Sequence, residues 1–179
     1  NFNTKKDCSD DLHIDTNIIS DYKDVSPEIQ SKIYASKSYN QTAININIIH
    51  QNSNNNTPKQ IFYNNEILGF LPVNSNCYNL IWSMPNDLFE KISHEKKDKY
   101  KVLIEDRAKH ILGDIQEIII GKSFPLSARH ADKYFYKNNL FIGESAHKFH
   151  PLAGLGLNMG IEDIAFLTQL ISKHSNLKV

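Results

Sequence analysis

Between residues 42 and 50 the chain reads T-A-I-N-I-N-I-I-H, so Ile44, Ile46 and Ile48 alternate with Asn45 and Asn47. A period of two sends the isoleucines to one face and the asparagines to the other, which predicts a half-buried β-strand. Shorter runs at 60–63, 67–71 and 77–84 predict three more strands, the last with Tyr78, Leu80 and Trp82 on one face. Asn64-Asn65 and Asn74-Ser75-Asn76 are turn signals between them, and the tract Asn52-Ser53-Asn54-Asn55-Asn56 predicts a flexible hairpin loop. Together these segments describe an antiparallel sheet of three or four strands.

Beyond residue 84 the period changes. Pro85 ends the sheet, and Asn86 and Asp87 can cap a helix that runs to about residue 94. A second helix is predicted over 98–112, with Val102, Ile104, Ala108 and Ile111 as its apolar positions and Gly113 as its stop. Residues 115–124 predict a strand ending at Pro125, 134–136 a short one, and Leu140-Phe141-Ile142 a compact buried one. The last helix is predicted to start between 157 and 160 and to reach about residue 173. Its apolar positions Ile161, Ile164, Ala165, Leu167, Leu170 and Ile171 fit helical spacing. Ahead of the sheet, residues 1–37 are polar and poorly periodic. Their clearest signal is Ser26-Pro27-Glu28, a short helix start with Ser26 as N-cap and Pro27 in the first helical position.

With 179 residues, 40% of them hydrophobic and 22% charged, the chain can bury a core and is the size of one ordinary domain or a piece of a larger one. Twenty Lys and Arg balance 20 Asp and Glu, so net charge offers no reason to expect nucleic acid or an anionic surface as partner. The 8 histidines form no metal-ligand spacing. Two cysteines in unrelated contexts, Cys8 and Cys77, point to a reducing compartment. No apolar run approaches the roughly 20 residues that span a bilayer, and no signal peptide is visible. The first residue is Asn1 rather than Met, so a truncated or processed product is expected.

The chemistry concentrates in residues 140–163, L-F-I-G-E-S-A-H-K-F-H-P-L-A-G-L-G-L-N-M-G-I-E-D. A strand delivers the chain to Gly143, and the carboxylate of Glu144 follows at once. His147 comes next, Pro151 stiffens the following turn, and Gly154 and Gly156 let backbone approach something flat or anionic. A helix then begins, with unpaired N–H groups and its positive dipole end. That arrangement suits a flavin: a carboxylate for ribityl hydroxyls, a glycine loop for the ring edge, a helix N-terminus for charge on the reduced ring. The residues alone fit equally an ordinary strand–loop–helix corner whose glycines serve the turns.

Gly143, Ser145, Ala146, His147, Pro151, Gly154, Gly156, Asn158, Gly160 and Asp163 resemble the second flavin-binding motif of the para-hydroxybenzoate hydroxylase superfamily. His150-Pro151-Leu152-Ala153-Gly154 and Ser38-Tyr39-Asn40-Gln41-Thr42-Ala43 are similar to its ubiquinone-biosynthesis branch. So are Leu71-Pro72, Ile81-Trp82-Ser83, Phe124-Pro125-Leu126 and Arg129-His130-Ala131, in the family's order. The resemblance covers roughly residues 30–173. It implies an α/β protein whose antiparallel substrate-domain sheet and helices occupy 38–125. The C-terminal strand–loop–helix of an FAD-binding domain occupies 126–179, and a remnant of that domain or linker occupies 1–37. It implies FAD held by Gly143, Glu144, His147, Pro151, Gly154, Gly156, Leu157 and Asn158, with NAD(P)H as reductant and molecular oxygen as co-substrate. It also implies hydroxylation of a polyprenylated phenol or quinol, a lipophilic aromatic substrate. A cytoplasmic protein in peripheral contact with the inner membrane, within a ubiquinone-biosynthesis complex, is compatible with it.

Departures from that pattern sharpen the expectation. No Gly-x-Gly-x-x-Gly follows a strand anywhere, so the N-terminal Rossmann part that would hold the ADP half of FAD is absent. The family's middle Asp-Gly motif falls on Asp21-Tyr22, Glu144 replaces an Asp, and Leu155 stands where the branch commonly has Gln. A fragment inactive by itself is expected. Its rivals are a non-catalytic remnant or subunit needing a partner with the nucleotide-binding half, and epoxidation or halogenation on the same scaffold. His147 and His150 read as structural hydrogen-bonding partners more readily than as proton shuttles. Arg129 reads as a flavin contact or an ion-pair partner, and Tyr78 and Trp82 as core before pocket.

Overall fold

A computed structural model describes residues 16–51, 57–151 and 155–174. The elements in chain order are β1 (Asn17–Ile19), α1 (Pro27–Ile33), β2 (Tyr34–His50), β3 (Lys59–Tyr63), β4 (Glu66–Asn74), β5 (Cys77–Pro85), α2 (Asn86–Ser93), α3 (Lys97–Leu112), β6 (Ile115–Ala131), β7 (Phe135–Tyr136), β8 (Asn139–Phe141), β9 (His147–Lys148) and α4 (Leu155–His174). Two compact units divide the chain, one of residues 37–127 and the other of residues 1–36 with 128–179. The tract 52–56 expected as a hairpin loop lies outside the described residues.

The central unit is a sheet with helices on one face. Its strand order is β3-β4-β5-β2-β6. β2 runs antiparallel to β5, with Ile44 opposite Trp82, Ile46 opposite Leu80 and Ile48 opposite Tyr78. All six of these side chains are buried, as the alternation predicts. They meet Ile92 of α2 and Tyr100, Ile104, Ala108, Ile111 and Leu112 of α3. Each large apolar side chain fully buried here contributes about 1.5–3 kcal/mol, so this layer supplies most of the unit's stability. Tyr78 and Trp82 are therefore core residues.

Several boundaries differ from the sequence reading. Val102 is 59% exposed and Tyr100 is buried in its place, because residues 100, 104, 108 and 111 share one helical stripe and 102 points away from it. The cap of α2 is Pro85, with no side-chain hydrogen bond; Asn86 instead accepts from Thr42 Oγ1 at 2.9 Å. β6 continues through Pro125 to Ala131. Arg129 and His130 near its C-terminal end pair with β9, and Pro125 itself is exposed.

One polar cluster is buried against this core. Glu66 on β4 accepts from Arg107 Nε and Nη2, both at 2.8 Å, and from Trp82 Nε1 at 2.8 Å. The guanidinium lies over the Tyr63 and Trp82 rings at 4.9 and 5.4 Å from their centroids. Both charged side chains are under a tenth exposed, so the ion pair is desolvated and depends on its complete bond set.

The second unit holds a three-stranded sheet in the order β1-β8-β7. β1 pairs parallel with β8, Ile18 opposite Leu140, and β7 pairs antiparallel with β8. Within the stretch read as a remnant of the FAD domain or linker, β1 is a parallel strand that flanks the strand at 140. α1 starts as its Pro27 predicts, with Ser26 in the cap position but no bond from its hydroxyl. Val25, Ile29, Ile33, Phe141 and Ala146 form the small core. Removing one partner of a buried pair leaves an uncompensated charge. The substitution Arg107→Met is therefore expected to destabilise the central unit by about 3–5 kcal/mol in urea unfolding. Glu66→Leu combined with Arg107→Met should cost clearly less than Arg107→Met alone.

Candidate flavin site

β8 ends at Phe141 and hands the chain through Ile142 to a 3-10 turn over Gly143–Ser145. Gly143 has φ +57, a left-handed backbone that a side chain would strain. Three bonds fix the turn against the end of β1. Ile142 N donates to Ile19 O at 3.0 Å, Ser145 N donates to Ser20 O at 3.0 Å, and Ser145 Oγ donates to Ile19 O. The Tyr34 hydroxyl donates to Ser145 O. Burial pushes the Tyr34 phenol up to about 12, so it remains a donor through the neutral range.

The helix returns to this turn. Gly143 N donates to Asp163 Oδ2 at 2.8 Å, and Gly160 leaves room for it: the Cα atoms of Gly143 and Gly160 flank each other, with Gly160 Cα 4.0 Å from a Cβ placed on Gly143. The same Asp163 oxygen lies 3.2 Å from His147 Nε2, at an angle that makes no hydrogen bond. His147 is 3% exposed, stacks on Phe149 and meets Tyr134 edge-on. Its Nδ1 is buried, with no hydrogen-bond partner among the described residues.

A cavity of about 590 Å³ opens between the turn and the first half of α4, within the 300–1,000 Å³ usual for small-molecule sites. Gly143, Glu144, His147, Pro151, Gly156 and Leu157 line it. Asn158 is exposed on α4 and is not among its lining residues, and Gly154 lies outside the described residues. Sequence reasoning had not singled out Ile142, Lys148 and Phe149 as lining residues; Lys148 is placed by the pairing of β6 with β9, which no local pattern announces. His150 also lines the cavity, and burial holds its imidazole below the usual range, favouring the neutral form.

Arg129 sits over the Tyr22 ring, 3.3 Å from its centroid. It donates to Glu144 O at 3.3 Å and lies 3.9 Å from the Glu144 carboxylate. Tyr22 is thus a platform for this arginine. Asp21 beside it caps the 3-10 turn by accepting from Lys23 N at 2.9 Å. Among the described residues no group of three His, Cys, Asp or Glu could hold a metal, and no helix is long and apolar enough to cross a membrane.

α4 starts at Leu155, earlier than its apolar spacing suggested, and its first residues line the cavity. An apolar stripe ordinarily faces a core, yet Ile161, Ile164 and Ile171 are each more than half exposed. None of the described residues covers that stripe.

The carboxylate of Asp163 is the only described side chain bonded to the Gly143 amide. Its removal in Asp163→Ala leaves that N–H unpaired, which costs about 1–3 kcal/mol for a buried group. Urea unfolding should register a loss of that size, and hydrogen exchange at the Gly143 amide should accelerate. Asp163→Asn, which retains an acceptor, should lose less. Unchanged exchange in Asp163→Ala would show that the carboxylate does not hold the turn.

Comparison with known proteins places this arrangement. The chain is 30% identical over 74% of its length to 3-demethoxyubiquinol 3-hydroxylase of Escherichia coli K12, covering 34% of that protein. It is 28% identical over 73% of its length to the ubiquinone hydroxylase UbiL of Rhodospirillum rubrum, covering 30% of it. The crystal structure of CmlS, a flavin-dependent halogenase, superposes on 83% of this chain and 29% of its own with a TM-score of 0.63 at 13% identity, a likeness of fold alone. The chain spans about a third of the length of the curated relatives it matches. The family described as FAD binding domain matches residues 24–176, nearly the whole described chain, and the chain belongs to that family.

Proposed function

We propose that this chain is the C-terminal part of an FAD-dependent monooxygenase that hydroxylates the ring of a polyprenylated phenol or quinol in ubiquinone biosynthesis. NAD(P)H serves as reductant and molecular oxygen as co-substrate. The observation that carries the reading is the convergence of Gly143, Glu144, His147 and the first turn of α4 on one largely apolar cavity, in a family that binds FAD. The similarity to two ubiquinone hydroxylases supports the choice of substrate. A lipophilic substrate agrees with a cytoplasmic protein working in peripheral contact with the inner membrane, in a ubiquinone-biosynthesis complex and without nucleic acid.

The cavity residues fit the ring and ribityl end of the cofactor. Glu144, with its side chain 60% exposed, is available to accept from ribityl hydroxyls. A Cβ on Gly156 would meet nothing within 4 Å, so the backbone there is open to close approach. The N-terminal N–H groups of α4 favour negative charge beside the cavity, and Ile142, Leu157 and Ile161 give it apolar walls. When bound, the flavin supplies the redox and oxygen chemistry. Asp163 holds Gly143 and faces His147, so both residues shape the wall of the cavity.

The pyrophosphate end has no counterpart, because the sequence contains no Gly-x-Gly-x-x-Gly. The exposed apolar stripe of α4 favours a complementary nucleotide-binding piece, on the same polypeptide or another, as its cover. Each missing charge-assisted bond to phosphate is worth about 1.5–3 kcal/mol, and several together weaken affinity by orders of magnitude. The 179-residue chain alone is therefore expected to show no micromolar FAD binding in a flavin fluorescence titration and no NADH consumption. Micromolar binding with turnover would remove the need for a second piece.

A further inference from the structure

A guanidinium beside a carboxylate ordinarily closes a two-pronged ion pair, and Arg129 and Glu144 do not. Arg129 Nη2 donates to the Glu144 backbone oxygen at 3.3 Å, while Glu144 Oε1 stands 3.9 Å from the same nitrogen. Arg129 Nε is buried with no hydrogen-bond partner among the described residues. The guanidinium therefore keeps donors to spare and would gain by turning onto the carboxylate. What restrains it lies on its flat side. Its Cζ is 3.3 Å from the centroid of the Tyr22 ring, a cation–π stack. That ring is itself fixed. The Tyr22 hydroxyl donates to Gln30 Oε1 at 2.9 Å, Gln30 Nε2 donates to Val25 O at 2.8 Å, and Tyr34 meets Tyr22 edge-on with ring centroids 5.1 Å apart. Tyr34 in turn donates to Ser145 O. Two packed tyrosines thus hold successive carbonyls of the flavin turn, one directly and one through Arg129. Glu144 lines the cavity, whereas Tyr22 and Arg129 do not.

We propose that Tyr22 is a positioning residue that keeps the Glu144 carboxylate free for the hydroxyls of a flavin's ribityl chain. The ring engages the guanidinium by stacking and directs its N–H to the backbone of the turn, so the positive charge stays close without covering the carboxylate oxygens. With the ring removed, Arg129 swings onto Glu144 in the two-pronged pair, and a ligand hydroxyl must then break that pair to bind. Tyr22 acts against a competitor inside the protein rather than by touching the ligand. The role rests on the flavin reading of the cavity and adds a residue outside its walls.

The test follows the fluorescence of riboflavin (ring and ribityl chain) and, separately, of lumiflavin (a methyl group in place of that chain) as the full 179-residue chain is added up to millimolar concentration. The unaltered chain is expected to bind riboflavin at least fivefold more tightly than lumiflavin, within what one hydrogen bond to a charged group supplies. Tyr22→Leu should erase that preference, Tyr22→Phe should keep it, and Arg129→Met added to Tyr22→Leu should restore it. A double variant as weak for riboflavin as Tyr22→Leu alone overturns the assignment, because a ring that only filled space is not rescued by loss of its neighbour. If Tyr22→Leu fails to fold, Arg129→Lys against Arg129→Met decides. Lysine keeps the charge without the flat stacking group and should lose the preference, while methionine should keep it; any other order overturns the role of Tyr22. Equal affinity of the unaltered chain for the two flavins overturns it as well and leaves the ring-hydroxylase reading standing. Absence of saturable binding of either flavin overturns both.

Discussion

One carboxylate, that of Asp163, joins the two arms of the strand–loop–helix. It accepts from Gly143 N at 2.8 Å and faces His147 Nε2 at 3.2 Å. Gly143 can take its left-handed backbone because it has no Cβ, and α4 can come close because Gly160 also has none. The cavity exists because these contacts hold the helix beside the turn without filling the space near Gly156 and Leu157. A larger residue at Gly143 would strain the turn, and loss of Asp163 would release α4 from it.

The central unit depends on a different constraint. One face of its sheet is committed to α2 and α3 through Ile44, Ile46, Ile48 and Trp82, and the period of two turns Asn45, Asn47 and Asn79 to the other face, where Ala43 and Ser83 are also buried. Glu66 is the exception on the committed side. It reaches into the core, and its charge is tolerated because Arg107 and Trp82 satisfy it from three directions. Such a cluster fixes the relation of α3 to β4 through directional bonds, where apolar packing alone permits sliding.

Sequence pattern was informative where a local period reported packing. The isoleucines of β2 and the Gly113 stop of α3, with φ +66, could be read because burial and backbone handedness act on single residues. The reading failed where the cause lies far along the chain. β1 is three residues long and becomes a strand only by pairing with β8, 122 residues away at Asn17 and Asn139. The Glu66–Arg107 pair spans 41 residues and leaves no local mark. At the candidate site, the glycines and Pro151 announced an irregular loop before a helix. The bond from Asp163 to Gly143 and the stacking of Arg129 on Tyr22 arise from folding back, and only coordinates display them.

The bare stripe on α4 has a consequence for the protein's life in a cell. Leu157, Ile161, Ile164 and Ile171 share one exposed greasy face of a helix, the kind of surface that holdases bind and that drives self-association as concentration rises. Covering that face would keep molecules out of the pool that chaperones and proteases sort.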